Sequence, residues 1–351
     1  MQDYSENIDI DIELDQEPPK KKRHFWLWLF ILGLVFVIIG GALFYKTSFI
    51  FSQMNSGDTN GNGILPMAED EPLPEKDPDR INILLLGLRG PDDPNGGLLT
   101  DTMMLLSIKK STNQIAMISV PRDLYITIPG TVTQSNRSGL KEKINFAYVF
   151  GEEKKAGAGL TYSKAAVSRV TDLFIDYSAV VDFTAFKEAV DTLGGVDIYL
   201  DKPFKETTQF AKEILIDLPA GANHLNGETA LYFVRSRYST NDFDRAKRQQ
   251  QVLLAVKEKA FSLGVLLNPV KIFEFLDILG RHVRTDIGMG EITSLISLSK
   301  NLNFKNINQK VFDTTEQGLL YSFTNENGIF ILLPVGDNFD KIREASKNIF
   351  N

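Results

Sequence analysis

From residue 81 onward, short apolar runs broken by turn-forming residues alternate with amphipathic stretches. "INILLLG" (81–87) is an apolar run ended by glycine, the pattern of a buried strand. "TMMLLSIK" (102–109) and "IAMISV" (115–120) follow, separated by the turn-like "KSTNQ", and "LYITIP" (124–129) reads as a further strand. "TYSKAAVSRVTDLF" (161–174) has helical spacing, with Thr161 placed to cap it. "SAVVDF" (178–183) predicts a strand, "TAFKEAVDTL" (184–193) a helix stopped by Gly194 and Gly195, and "VDIYL" (196–200) another strand. "NGETALYFVR" (226–235) and "DRAKRQQQVLLAVKEKAFSL" (244–263) predict two helices. Strands alternating with helices imply an α/β sandwich with a mostly buried sheet. Residues 264–351 add helical "VKIFEFLDIL" and two strands, "GLLYSFTN" and "GIFILLPV", which are late strands of the same domain or a hairpin on it.

The pattern before residue 81 is different. Residues 25–45 ("FWLWLFILGLVFVIIGGALFY") carry no charge and are long enough, at about 1.5 Å per residue, to cross one hydrocarbon core. Trp26, Trp28 and Tyr45 lie near the ends, and Lys20, Lys21, Lys22 and Arg23 precede the run. The positive-inside rule then puts residues 1–24 in the cytoplasm and the rest of the chain outside. The acidic leader, the long apolar run and the missing A-x-A site favour an uncleaved anchor over a signal peptide. Residues 46–80, rich in Gly, Asn, Pro and acids, read as a flexible extracytoplasmic linker, leaving 81–351 as the working domain.

Charge sharpens this division. The chain of 351 residues has a formal net charge of −7. Residues 1–24 hold seven acids and four bases and residues 46–80 seven and three, so 31 of each remain elsewhere. A neutral folded part argues against nucleic acid as a partner, since such binding needs a basic face. There is no cysteine, which excludes thiolate nucleophiles and disulfides. Three histidines (His24, His224, His282) argue against a histidine triad or a multi-histidine metal site.

Against that neutral background one stretch stands out. Arg235, Arg237, Arg245, Lys247 and Arg248 fall within fourteen residues, opposed by Asp242 and Asp244. Arg245 and Arg248 or Gln249 share a face at the start of the 244–263 helix, where the macrodipole disfavours cations by a few tenths of a kcal/mol. Asp242 or Asp244 as N-cap offsets part of this, and a bound anion would reverse it. The alternative is ordinary surface charge paired with those two aspartates. Five bases in one segment repel unless neutralised, which favours an anion site. Three further cues lie elsewhere. Asp101 sits where a glycine-rich loop feeds a strand, suited to a metal or to capping a turn. Arg122 and Asp123 follow a strand and a proline, and Lys143 precedes an apolar helical start. The loop "GLRGPDDPNGG" lacks the G-K-[ST] ending of a P-loop.

Taken in order, "NILLLG", "LLTDTMML", "SVPRDLYITIPG", "KINFAYVFG", "VVDFTAFKEAVDTLGGVDIYL", "LPAGANHLNGETALYFVRSRY" and "DFDRAKRQQ" closely resemble the LytR-CpsA-Psr family, across residues 81–260. The resemblance implies a three-layer α/β/α sandwich with a central mixed sheet, carried outside the cell membrane on one transmembrane helix. It also implies a phosphotransferase that moves a glycopolymer from a polyprenyl-pyrophosphate carrier to a hydroxyl of peptidoglycan or another envelope acceptor. By motif, Arg122, Arg235, Arg237, Arg245 and Gln249 would line the pyrophosphate site, joined by Lys143, with Asp101 a Mg²⁺ ligand. No histidine lies in these motifs, so the general base would be a carboxylate: Asp101, Asp123 or Asp244. One position departs from the family. Arg89 stands where members commonly have an aspartate, which puts Mg²⁺ in doubt unless Asp92 or Asp93 substitutes; Arg89 would instead contact the phosphates. A polyprenyl-pyrophosphate hydrolase and a non-catalytic lipid-carrier-binding module are the competing readings.

Overall fold

The computed structural model describes residues 74–351 apart from 91–92, 94–96, 133–137, 208, 210–215, 264–279, 281, 300 and 304–305. The expected tail, membrane span, residues 46–73 of the linker, the helix at 270–279 and Asp92 lie outside the described residues. Among the described residues no helix is long and apolar enough to cross a membrane.

The chain opens with β1 (Arg80–Gly87), β2 (Thr102–Lys109), β3 (Gln114–Ser119) and the short β4 (Tyr125–Thr127) and β5 (Lys141–Lys143). Helices α1 (Phe146–Lys154) and α2 (Gly159–Thr171) lead to β6 (Tyr177–Val181), α3 (Phe183–Thr192), β7 (Val196–Leu200), β8 (Phe204–Glu206), β9 (Ile216–Leu218) and β10 (Gly221–Leu225). Then come α4 (Gly227–Arg235), α5 (Asp242–Ser262), β11 (Val283–Thr285), α6 (Met289–Ser299), β12 (Ile307–Val311), β13 (Leu320–Thr324), β14 (Phe330–Pro334) and α7 (Asp340–Lys347).

The result is a mixed α/β fold around a six-stranded mixed sheet of order β11-β6-β1-β2-β3-β12. β1 runs antiparallel to β2 and parallel to β6, β3 is antiparallel to β2, and β12 is parallel to β3. The register sorts the apolar runs onto two faces. Leu84 lies opposite Leu105 and Leu86 opposite Met103, and Ile118 continues the row from Leu105. This face packs against Ala166, Val167 and Val170 of α2. The other face includes Met117 and Ser119, and α5 reaches it: Gln250 Nε2 of α5 donates to Ser119 Oγ at 2.9 Å. Burying side chains of this size stabilises by about 1.5–3 kcal/mol each. A second core gathers Val190, Val196, Ile198, Leu225, Phe233 and Val252 beneath α3, α4 and α5.

Several boundaries differ from the sequence expectation for identifiable reasons. The 161–174 helix begins at Gly159, so Thr161 lies inside it, and it ends where Asp172 turns left-handed at φ 54°. Neither Asp242 nor Asp244 caps α5; Asn241 Oδ1 accepts from the Asp244 N–H at 2.8 Å. Asp182 caps α3 by accepting from Ala185 N–H. Residues 74–80 of the expected linker are held to the domain by an ion pair from Lys76 to Asp176 and by Lys110 N–H on Asp79 O. The two late strands, β13 and β14, form an antiparallel hairpin that touches the β4 region through a Leu124–Leu332 bridge.

Candidate active site

Because β1 and β6 run parallel and β2 and β3 alternate, the end of β1, the start of β2 and the ends of β3 and β6 all meet at one edge of the sheet. Ligands in open α/β sheets collect at such carboxyl ends. The edge carries Arg89 just beyond β1, Asp101 just before β2, Arg122 after β3 and Asp182-Phe183 after β6. The end of α4 and the start of α5 converge on the same edge, bringing Arg235, Arg237, Arg245 and Gln249. Apart from Asp182, these residues line a cavity of about 420 Å³, with Gln209, Tyr232 and Tyr238 on its wall.

Asp101 is the pivot of this cavity. Its Oδ1 accepts from Arg122 Nη1, while Arg89 Nε stands 3.6 Å from Oδ2. Arg122 also faces Asp123 at 3.4 Å and Asp242 at 3.6 Å. Arg245 meets Asp242 at 3.3 Å and donates to the Asp101 carbonyl, and Arg237 stands 3.7 Å from Asp242. Gln249 donates to Val234 O at 3.3 Å, which holds the α4–α5 junction. Arg235 lies over the Phe183 ring, 4.4 Å from its centre, a cation–π contact that orients the guanidinium. Gln209 fixes the following loop by donating to Arg235 O and accepting from the Arg237 and Tyr238 N–H groups.

A second cavity of about 590 Å³ lies alongside and shares Arg89, Asp101 and Arg122 with the first. It adds Asp123, Glu142, Lys143, Leu99 and Phe146, and Lys143 Nζ binds Asp123 at 2.7 Å. Lys143 therefore sits beside the arginine cavity, behind Asp123. Asp244, by contrast, lines neither cavity: it is half-buried and pairs with Asn241 and Lys247, which removes it from the candidate bases. Arg248 leaves the cluster too. It is buried and donates to Phe233 O, Thr240 Oγ1 and Ser236 O, tying the end of α4 to α5.

The site's electrostatics favour an anion. Burial opposes the charge on Arg122, but Asp101, Asp123 and Asp242 outweigh it and hold its pKa above the ordinary arginine value. Burial holds Arg235 and Arg245 below that value, partly offset by Asp93 and Asp242 respectively. All remain cationic near neutral pH. Around the arginine cavity five cations (Arg89, Arg122, Arg235, Arg237, Arg245) face three carboxylates (Asp93, Asp101, Asp242), an excess of two positive charges, while Asp123 and Lys143 pair with each other in the second cavity.

Whether this set fits a divalent cation is a question of donors. Mg²⁺ needs oxygen ligands at about 2.1 Å in octahedral order. Among the described residues no group of three or more acidic or histidine side chains could hold a metal. Both Asp101 oxygens face guanidiniums. A divalent ion about 4 Å from one guanidinium is repelled by roughly 8 kcal/mol at an effective dielectric of 20, and Arg89 adds this penalty beside Arg122. Among the described residues, the protein side of the site does not supply the oxygen ligands that Mg²⁺ needs.

Phe183, Gln209, Tyr232, Tyr238, Glu142 and the bridging role of Asp242 were not anticipated from the sequence. For Asp242 the signal was present, one helical turn before Arg245. Tyr232, Tyr238 and Glu142 are sequence neighbours of Arg235, Arg237 and Lys143, whereas Phe183 and Gln209 reach the site from elements distant in sequence.

Known proteins share both the sequence pattern and the fold. The family model described as "LytR_cpsA_psr family" matches residues 50–348. The chain is 35% identical over 225 residues to the polyisoprenyl-teichoic acid–peptidoglycan teichoic acid transferase TagU of Oceanobacillus iheyensis, covering 63% of each protein. It is 30% identical to the transferase of the same name from Bacillus cereus strain ATCC 14579, over 77% of this chain and 82% of that one. In fold it is similar to Bacillus subtilis TagV, with a TM-score of 0.58 at 24% identity over 77% of this chain and 97% of that one. TagT bound to LIIa-WTA gives a TM-score of 0.58 at 23% identity over 81% and 96%.

Proposed function

The chain belongs to the LytR-CpsA-Psr family, and from that premise we propose that it is a phosphotransferase moving a glycopolymer from a polyprenyl-pyrophosphate carrier to a hydroxyl of peptidoglycan or a similar envelope acceptor. The observation that carries this reading is the excess of two positive charges around the arginine cavity. A pyrophosphate diester brings two negative charges, and forked guanidiniums match its oxygens. Similarity to two proteins named as teichoic acid transferases supports the same reaction class.

In this reading the pyrophosphate occupies the arginine cavity. The acceptor oxygen forms a bond to the sugar-side phosphorus, the bond from that phosphorus to the bridging oxygen breaks, and prenyl monophosphate leaves. The hydroxyl proton passes to a carboxylate at the shared edge, Asp101 or Asp123. Arg122 and Arg245 bind and orient the two phosphates and offset the charge that spreads over the oxygens in transfer. Residues 81–351 act as one catalytic three-layer α/β/α domain. The apolar run 25–45 anchors the chain in the cell membrane, with the domain on its outer face.

The test uses the full chain in detergent micelles with a short-chain prenyl-pyrophosphoryl sugar, following prenyl monophosphate and ligated product. Release that requires a peptidoglycan-like acceptor is the expected result. Equal release with water alone would make the protein a hydrolase, and binding without release would make it a carrier-binding module.

A further inference from the structure

Three residues line both cavities: Arg89, Asp101 and Arg122. If the arginine-rich cavity holds the donor pyrophosphate, the phosphorus under attack lies where the two cavities join. The two guanidiniums stand on opposite oxygens of one carboxylate there, Arg122 on Oδ1 and Arg89 on Oδ2.

Arg89 is held at this point by its backbone. Leu88 N–H donates to Val181 O, and Phe183 N–H to Arg89 O, so both flanking peptides are stitched to the end of β6. Gly90 then turns away at φ 86°, where a Cβ would lie 2.7 Å from Asp182 Cβ. Asp182 is itself fixed, capping α3 through Oδ1 and meeting His282 Nδ1 at 3.0 Å through Oδ2. A side chain fixed at its base and aimed at a shared carboxylate is preorganised for one position.

The geometry points to Arg89 as a catalytic residue that does the work of a divalent cation: it binds the transferred phosphoryl group and stabilises its charge, so the reaction runs without Mg²⁺. This inference rests on the transferase reading above. Arg89 moves no proton, and the bonds made and broken are those already given. Asp101 then aligns the two guanidiniums. The same positive charge would be supplied by a fixed donor that needs no reorganisation during transfer.

The test has a binding arm and a turnover arm, both on the full chain. Binding of a short-chain prenyl pyrophosphate is titrated by calorimetry in EDTA and in Mg²⁺, and bound Mn²⁺ is followed by electron paramagnetic resonance. Wild type is expected to bind the ligand equally in both media and to hold no Mn²⁺ at the site. R89A should weaken binding about 10-fold, and R89D, which restores a carboxylate beside Asp101, should bind only with metal. In turnover, wild type should release prenyl phosphate at the same rate in EDTA, and R89A should be slower by about 100-fold, the range for removing one preorganised donor. R89K, which keeps the charge, should fall between R89A and wild type and guards against a folding defect. Wild-type binding that requires Mg²⁺, or release abolished by EDTA, would overturn the role of Arg89 while leaving the transferase reading intact. Absence of release under every condition would instead count against the transferase reading, with the binding arm still deciding the role of Arg89.

Discussion

The arginine at the start of β1 and those at the sheet edge differ in what they face. Arg80, at the start of β1, donates to Ser107 Oγ at 2.5 Å, to Ser346 O at 3.0 Å and to Lys347 O, with its guanidinium 5.1 Å from the Phe350 ring centre. At the sheet edge, Arg122 and Arg245 face carboxylates across open space and each other's fields. Burial alone does not separate the two kinds; partners do. Neutral carbonyls and hydroxyls satisfy Arg80 with nothing left to bind, and burial pushes its pKa down to about 10. Arg248 belongs with Arg80: it too donates to carbonyls and a hydroxyl and is also pushed down to about 10 by burial. The lesson is that a guanidinium shared among carboxylates in a cavity marks a ligand site, whereas one closed off by backbone oxygens is a brace.

Substitutions can break this contrast. The largest effect is expected at Arg122, which faces three carboxylates at the junction of the cavities. Arg122→Ala should slow prenyl phosphate release by about 1000-fold, with far-ultraviolet circular dichroism unchanged. Arg80→Met should do the reverse: about 2–4 kcal/mol less stability in urea titration, from orphaned buried acceptors, and normal turnover per folded molecule. Lys143→Met should have a smaller effect, about 10-fold on turnover, because it acts on Asp123 from the second cavity. Asp244→Asn should change turnover by less than about 2-fold, since this residue lines neither cavity and its solvent-accessible pair with Lys247 contributes little.

Much of this contrast was legible before the fold. The strands β1, β2 and β3 carry apolar runs because both faces of the sheet are covered, and α5 shows its charge and length directly. Clustering alone marked Arg235, Arg237 and Arg245 as an anion site. What clustering missed is that Arg248, three residues after Arg245, turns toward carbonyls of α4 and its following loop; a helix face cannot be assigned without its neighbour. The short strands β5, β11 and β12 also escaped notice. "KEK", "VRT" and "INQKV" pair through backbone at ladder edges, so their side chains show no buried run. Phe183 and Gln209 could not be read at all, since their role depends on where α3 and the loop near Gln209 meet Arg235.

The most direct test of the central claim is a calorimetric titration of short-chain prenyl pyrophosphate into the full chain, comparing wild type with Arg245→Ala and Arg80→Met. The account predicts that Arg245→Ala weakens binding by at least about 30-fold, as loss of a charge-assisted contact should, while Arg80→Met binds like wild type. Equal affinity in all three proteins, or a loss confined to Arg80→Met, would contradict it.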